Sequence, residues 1–229
     1  MEKIDSPKQT SGLPKAAVSP SHHEAPTIRT YVSRPDSWLR GVVQGKTRIL
    51  MAWIFAGLLA LFARNYPALP GIVVCFTGAT LRFWASGYLR KDSRPAVGGP
   101  YAQCRNPLYL GTYVMALGTA WAIQNYWLLG IVTILFAVVY HYIILEEETK
   151  LDQIFGAPYA VYCKLVPRFF PRPWPANKQA LLEVNPDLNH HQHSWELSKK
   201  NKAFEAYASF FGLIGGVSLI AWVWQYFKA

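Results

Sequence analysis

Tyr126-Trp127-Leu128-Leu129-Gly130-Ile131-Val132-Thr133-Ile134-Leu135-Phe136-Ala137-Val138-Val139-Tyr140-His141-Tyr142-Ile143-Ile144-Leu145 is followed at once by Glu146-Glu147-Glu148. These are twenty residues without a formal charge. A bilayer core of about 30 Å takes about 20 residues of helix. The stretch therefore reads as a membrane span that leaves the bilayer at the three glutamates. Comparable runs cover Leu50–Ala63, Gly71–Leu89, Pro107–Ile123 and Ala203–Phe227. Five such runs are hard to place in a soluble bundle, and the expected fold is all-α, a polytopic membrane protein with about five transmembrane helices.

Composition agrees. The chain has 229 residues, of which 52% are hydrophobic and only 16% charged. Disorder throughout, collagen and disulfide-stapled scaffolds are excluded. Residues 1–47 are rich in Pro, Ser and Lys and read as a flexible cytosolic tail. No apolar signal-peptide core follows its early lysines. Residues 48–171 form the expected membrane core, 172–202 a polar loop, and 203–229 a fifth helix.

Charge placement gives an orientation. Of 23 lysines and arginines, eight lie at or before the first run, four between the second and third, and eight between the fourth and fifth. The other side holds only Arg64 and Lys228, and Arg82 lies within the second run. The positive-inside rule puts the N-terminus and both long loops in the cytosol and the C-terminus outside. The net charge of +10 is thereby assigned to anionic lipid head groups, with no nucleic acid. The setting is a bacterial inner membrane or one of endoplasmic-reticulum type.

Two cytosolic segments carry more polar chemistry than an anchor needs. In the first, Asn106 is a natural N-cap and Pro107 suits a first helical turn. That helix dipole beside Arg105 makes an anion site for a carboxylate or phosphate. Cys104 next to Arg105 reads as a thiol of lowered pKa. In the second, His141, Leu145 and Glu148 share a helix face, and Glu147 lies on a neighbouring face with Ile143 and Ile144. Gly156 is a helix stop and Pro158 a restart, with Tyr159, Tyr162 and Val166 as a one-sided stripe along the interface. Arg82 is a candidate partner for a glutamate or a lipid head group. His190, His191 and His193 have no second ligand cluster beside them, and no metal site is expected. Gly212, Gly215 and Gly216 suggest a helix-packing face, for a dimer or a membrane-complex partner.

Taken together, the motifs resemble the isoprenylcysteine carboxyl methyltransferase and phospholipid methyltransferase family of integral membrane enzymes. The residues concerned are Gly99-Pro100-Tyr101, Arg105-Asn106-Pro107-Leu108-Tyr109-Leu110-Gly111, Glu147-Glu148, Leu151, Phe155-Gly156, Tyr159, Tyr162, Val166-Pro167 and Pro171. The resemblance implies S-adenosylmethionine as cofactor, bound at the cytosolic face, and a lipid or lipidated acceptor reaching the methyl group from the bilayer. It implies a cofactor site of Tyr101, Arg105, Asn106, Pro107, Tyr109, Leu110, Gly111, Glu147, Glu148, Tyr159 and Tyr162. Catalytic roles fall to Arg105, Asn106, Glu148 and His141. Many members carry His where Asn106 stands, and Asn cannot take a proton. A carboxylate acceptor needs no base, whereas an amine would need His141 or Glu148. The competing expectations are a non-catalytic membrane subunit that keeps the fold and an NADPH-dependent membrane reductase of related architecture.

Overall fold

The computed structural model describes residues 46–90, 94–190 and 192–228, and among these all regular structure is helical. The tail read over 1–47 thus lies outside the described residues, except for Lys46 and Thr47, which begin the first helix. Five long helices form the bundle: α1 (Lys46–Phe62), α2 (Leu69–Ser86), α3 (Pro107–Ala122), α4 (Tyr126–Phe155) and α8 (Glu205–Lys228). Three short helices lie between α4 and α8: α5 (Ala157–Leu165), α6 (Lys178–Val184) and α7 (Trp195–Lys200). They gather at one end with the 94–106 connection. We call this the basic end.

Helix boundaries follow local chemistry. Pro70 and Pro107 open α2 and α3 in the first turn, where a missing N–H costs nothing. Asn125 caps α4 by accepting from the Leu128 N–H at 3.2 Å. Gly156 ends α4 at φ 59°, a left-handed conformation that suits glycine, and Pro158 sits in the first turn of α5. Thirty residues make α4 about 45 Å long. That exceeds a bilayer core, so its acidic last turns stand beyond it at the basic end.

Among the described residues, three helices are long and apolar enough to cross a membrane: α2, α4 and α8. A third or less of each spanning window is buried within the protein. Ile134, Val138, Phe211 and Leu219 all face outward. A soluble bundle would bury such side chains, and lipid is the solvent these faces require. The other two runs form helices of 17 and 16 residues, α1 and α3. Sixteen residues rise only about 24 Å.

The tightest contact joins α2 and α3, which run antiparallel with small residues facing each other. A Cβ at Gly71 would lie 2.2 Å from the Ala122 nitrogen, and one at Gly118 would lie 2.2 Å from the Cys75 nitrogen. Gly78 meets the Met115 nitrogen at 2.6 Å on the same measure. Close backbone approach of this kind stabilises helix pairs where lipid removes the hydrophobic drive. The glycines of α8 behave differently. Gly212, Gly215 and Gly216 have nothing within 4 Å of an added Cβ, so within the chain they pack no helix. Gly118→Leu is therefore expected to cost more than about 2 kcal/mol, as overpacking against backbone does. Gly216→Ala should be neutral or stabilising by up to about 1 kcal/mol. Thermal unfolding of both variants in detergent checks this; equal midpoints would show that the α2–α3 contact is not tight.

Candidate functional site

The basic end is built around Glu148, which is 2% exposed. Arg168 approaches one carboxylate oxygen twice, with Nε donating to Oε2 at 3.0 Å and Nη2 at 3.0 Å from the same atom. Arg105 Nη2 lies 3.0 Å from Oε1, at ion-pair distance but off the line of a hydrogen bond. Glu148 comes from α4, Arg105 from the turn before α3, and Arg168 from the extended segment after α5. One carboxylate thus joins three parts of the chain, and two cations face it.

Backbone bonds hold the same segments in register. Arg105 N–H donates to Pro167 O at 2.9 Å, Arg172 N–H to Gln103 O at 3.1 Å, and Ala176 N–H to Ala102 O at 2.9 Å. Residues 166–176 are therefore a strap lying antiparallel to 102–106. Asn106 belongs to this strap contact. Its side chain donates to Arg168 O at 2.9 Å and makes no capping bond to α3. The N-cap expected from its residue type is not formed: the Nδ2 bond to Arg168 O ties the side chain to the strap, and Oδ1 accepts no N–H of the first turn.

Tyr159, Tyr162 and Val166 are one-sided as expected, but they face protein. All three are buried in a core with Val97, Ala102, Leu181 and Val184. Tyr162 donates to Tyr101 O at 2.7 Å. The interfacial placement of this stripe is thus corrected: α6 and the strap cover it. Burial also decides the ionisation here. It pushes the Tyr101, Tyr159 and Tyr162 phenols above their ordinary range. It raises the Cys104 thiol to about 11, against a smaller opposing effect of a backbone hydrogen bond and Arg105. The lowered thiol pKa expected from the neighbouring arginine is overturned, since desolvation outweighs one guanidinium already paired to Glu148. Cys104 donates its proton to Phe169 O at 2.9 Å.

Glu147 is exposed beside this cluster and accepts from Tyr109 Oη at 2.6 Å. The Tyr109 ring meets Tyr140 edge-on at 5.4 Å, and Tyr140 stacks on Phe136 at 3.8 Å. His141 is exposed, with its ring against Tyr142. It is not brought to Glu148: on that face Leu145 and Glu148 are buried, while His141 is exposed. Pro107 is buried, and Leu110 is partly so. Gly111 gives room to Arg82, whose Cγ would lie 2.6 Å from a Cβ there.

Three buried polar atoms of the cluster have no hydrogen-bond partner: Tyr101 Oη, Arg105 Nε and Glu148 Oε1. Two donors and one acceptor without hydrogen-bond partners at the basic end suit a ligand that carries both charges. No group of three or more His, Cys, Asp or Glu residues suited to a metal occurs among the described residues. His193 packs among Phe83, Tyr88 and Trp195, and His191 lies outside the described residues.

Sequence reasoning treats Arg168 only as a basic residue, and it misses a cavity of about 470 Å³ between the long helices. Phe55, Met115, Val132, Leu135, Phe136 and Leu213 supply apolar wall, and Arg82, Thr112, Tyr140 and Ser209 the polar atoms. The signal for Arg168 is its place directly after Val166-Pro167 in the second motif. The cavity has no comparable signal beyond Arg82 itself.

Apolar helices with outward-facing side chains and a polar, two-arginine centre at one end define a helical membrane protein with a built polar site. The phospholipid methyltransferase family model matches residues 53–158, somewhat less than half of the chain, and the match lies within the membrane core. This span includes both motif-bearing helices and agrees with the resemblance read from the motifs. The chain is also similar to the nickel-cobalt-cadmium resistance protein NccN of Alcaligenes xylosoxydans xylosoxydans, at 29% identity over 136 residues. That alignment covers 58% of this chain and 59% of the relative, less than two thirds of either. The cobalt-zinc-cadmium resistance protein CzcN of Cupriavidus metallidurans is 27% identical over 167 residues, 69% of this chain and 74% of that one. No solved structure matches.

The cluster's burial has two measurable consequences. Glu148→Gln strands two cations and is expected to cost about 3–5 kcal/mol, whereas exposed Glu147→Gln should cost less than about 1 kcal/mol. Thermal midpoints of the two variants decide; a mild Glu148→Gln would mean that the arginines are solvated. The second concerns alkali. The folded state keeps protons on Cys104 and the three tyrosines that the unfolded chain gives up from about pH 9 upward. The native state binds more protons there, so stability is complete below about pH 9 and falls through pH 11. A melting series should show that decline together with delayed phenolate absorbance; a flat series would mean that these groups titrate alike in both states.

Proposed function

We propose that this chain transfers a methyl group from S-adenosylmethionine to a lipid or lipidated acceptor at the cytosolic membrane interface. The carrying observation is the set of unsatisfied atoms around Glu148. A methionine moiety presents a carboxylate and an ammonium. Arg105 Nε and Tyr101 Oη are open donors for the carboxylate, aided by the uncapped start of α3. Glu148 Oε1, which faces Arg105 Nη2 at 3.0 Å without a hydrogen bond, keeps acceptor capacity for the ammonium. Exposed Glu147, already in contact with Tyr109, suits ribose hydroxyls. The Tyr109 and Tyr140 rings suit the cationic sulfur. When bound, the cofactor supplies a methyl group on a positively charged sulfur, whose carbon–sulfur bond breaks as the acceptor's new bond forms.

The residues' own task is positioning, which supplies most of the rate in such a displacement. Arg105 and Arg168 fix Glu148, and the strap fixes Arg168. Asn106 acts in this scheme by holding the strap through its carbonyl contact, with no proton to move. His141, exposed on α4, is a base available only to an amine acceptor near that face. The apolar cavity opens the reaction to an acceptor coming from the bilayer. In this reading all five long helices cross the membrane, with α1 and α3 as its shorter spans, and the basic end faces the cytosol. Any part in metal resistance, the property for which the two relatives are named, would run through the methylated membrane component. The small-residue face of α8 is the proposed contact for a second copy or a membrane partner.

Calorimetry on the full chain in lipid tests the proposal, with NADPH as control ligand. Micromolar S-adenosylmethionine binding without NADPH binding is expected. Glu147→Gln, which leaves the fold intact, should weaken it at least tenfold, the loss of one charge-assisted hydrogen bond. Arg105→Ala should abolish it. NADPH binding would favour a reductase, and absence of both would favour a non-catalytic subunit. Labelled methyl transfer into lipid extracts then identifies the acceptor.

A further inference from the structure

Arg82 is a cation without a counter-ion in an apolar wall. Its guanidinium contacts Thr112 Oγ1, its Nε has no partner, and among the described residues no carboxylate lies at ion-pair distance. Depth explains why this matters. Arg82 lies four residues from the end of α2, about 6 Å by helix rise. Thr112 lies five residues into α3, about 7.5 Å from its start. The two are level, so the side chain runs sideways across Gly111 and does not snorkel toward the head groups. It enters the cavity, where Phe136, Val132, Leu135 and Leu213 offer only hydrocarbon. The Glu205 carboxylate of α8 acts on it only from beyond ion-pair distance, and a charge so weakly compensated inside a membrane bundle is costly and marks a ligand or ion path.

We propose that this cavity binds an amphiphile with an anionic oxygen head and a hydrocarbon chain, the head on Arg82 and Thr112 and the chain along the apolar wall. A carboxylate or a phosphate satisfies the open Nε and the planar fork together. An amine head is repelled, and an alcohol leaves the charge unmatched. The volume of about 470 Å³ lies within the range of small-molecule sites. Gly212 lines this space and has nothing within 4 Å of an added Cβ, so its missing side chain is part of the room available. As a binding site the cavity needs nothing from the methyl-transfer proposal. As the acceptor's seat it rests on that proposal, and it then selects anionic acceptors over amines.

The test is ligand binding to the full chain in uncharged detergent without S-adenosylmethionine, read by native mass spectrometry. The probes are a long-chain fatty acid, a lysophosphatidic acid of the same chain, and the matching alcohol and alkylamine. At least tenfold preference for one or both anions is expected, and the one preferred names the head as carboxylate or phosphate. Arg82→Gln should remove the preference, and Arg82→Lys should keep part of it. Gly212→Leu fills the space and should lower binding of every chain while the thermal midpoint holds. Equal binding of alcohol and anion, or an unchanged preference in Arg82→Gln, overturns the proposal. Failure of S-adenosylmethionine binding in the separate calorimetry would leave this result standing, so the two ideas fail independently.

Discussion

The basic end depends on one carboxylate shared by two arginines. Glu148 receives Arg168 and Arg105 from opposite sides, and neither arginine is near it in sequence. A buried carboxylate between two guanidiniums leaves the group with one positive charge in excess. Such a cluster contributes little to net stability, since desolvation offsets most of its Coulomb energy. Its consequence is geometric. It brings the start of α3, the emerging end of α4 and the 166–176 strap to a single point. The strap's backbone bonds to 102–106 then follow, and with them the cover over Tyr159 and Tyr162.

The cluster is only as well placed as α3, and α3 is placed by α2. Small residues let the two backbones touch at Gly71, Gly78 and Gly118. Gly111 belongs to the same stripe, its added Cβ lying 2.8 Å from Gly78 O, and it serves a second purpose as well, because the groove it leaves is crossed by Arg82. One sequence feature therefore sets both the helix pair and the direction of its buried cation. A side chain at position 111 would force Arg82 out of the groove, even if the helix survived.

The apolar runs were legible because uncharged stretches of spanning length rarely recur in a chain that folds in water. The helix stop at Gly156 and the restart at Pro158 were legible from backbone chemistry alone, whereas the Asn125 cap was not read. The errors share one cause: residue type gives what a side chain can do, and the neighbours decide what it does. Asn106 is a good cap by type, yet Arg168 O takes its amide. Cys104 has an arginine beside it, yet burial prevails. The Tyr159 stripe is amphipathic, yet protein covers it where lipid was expected. Two glycine stripes, on α2–α3 and on α8, look alike in sequence, and only the fold shows which one already has a partner. Arg168 was hidden because its ion pair spans 20 residues and a helix stop.

The two cationic centres sit on either side of one aromatic step. Tyr109 holds Glu147 on the polar side, and its ring touches Tyr140, which lines the apolar cavity with Arg82. A polar ligand at the Glu148 cluster and an amphiphile on Arg82 would therefore approach each other across two tyrosine rings. Under the proposed function this arrangement would separate the ligands by phase, one entering from water and the other from lipid. It also puts the surplus positive charge of both sites on the same side of the bundle, where an anionic head lowers the electrostatic cost of each. Arg82, with no ion pair and only the distant Glu205 carboxylate to offset its charge, is the feature on which the proposed ligand of the membrane half rests.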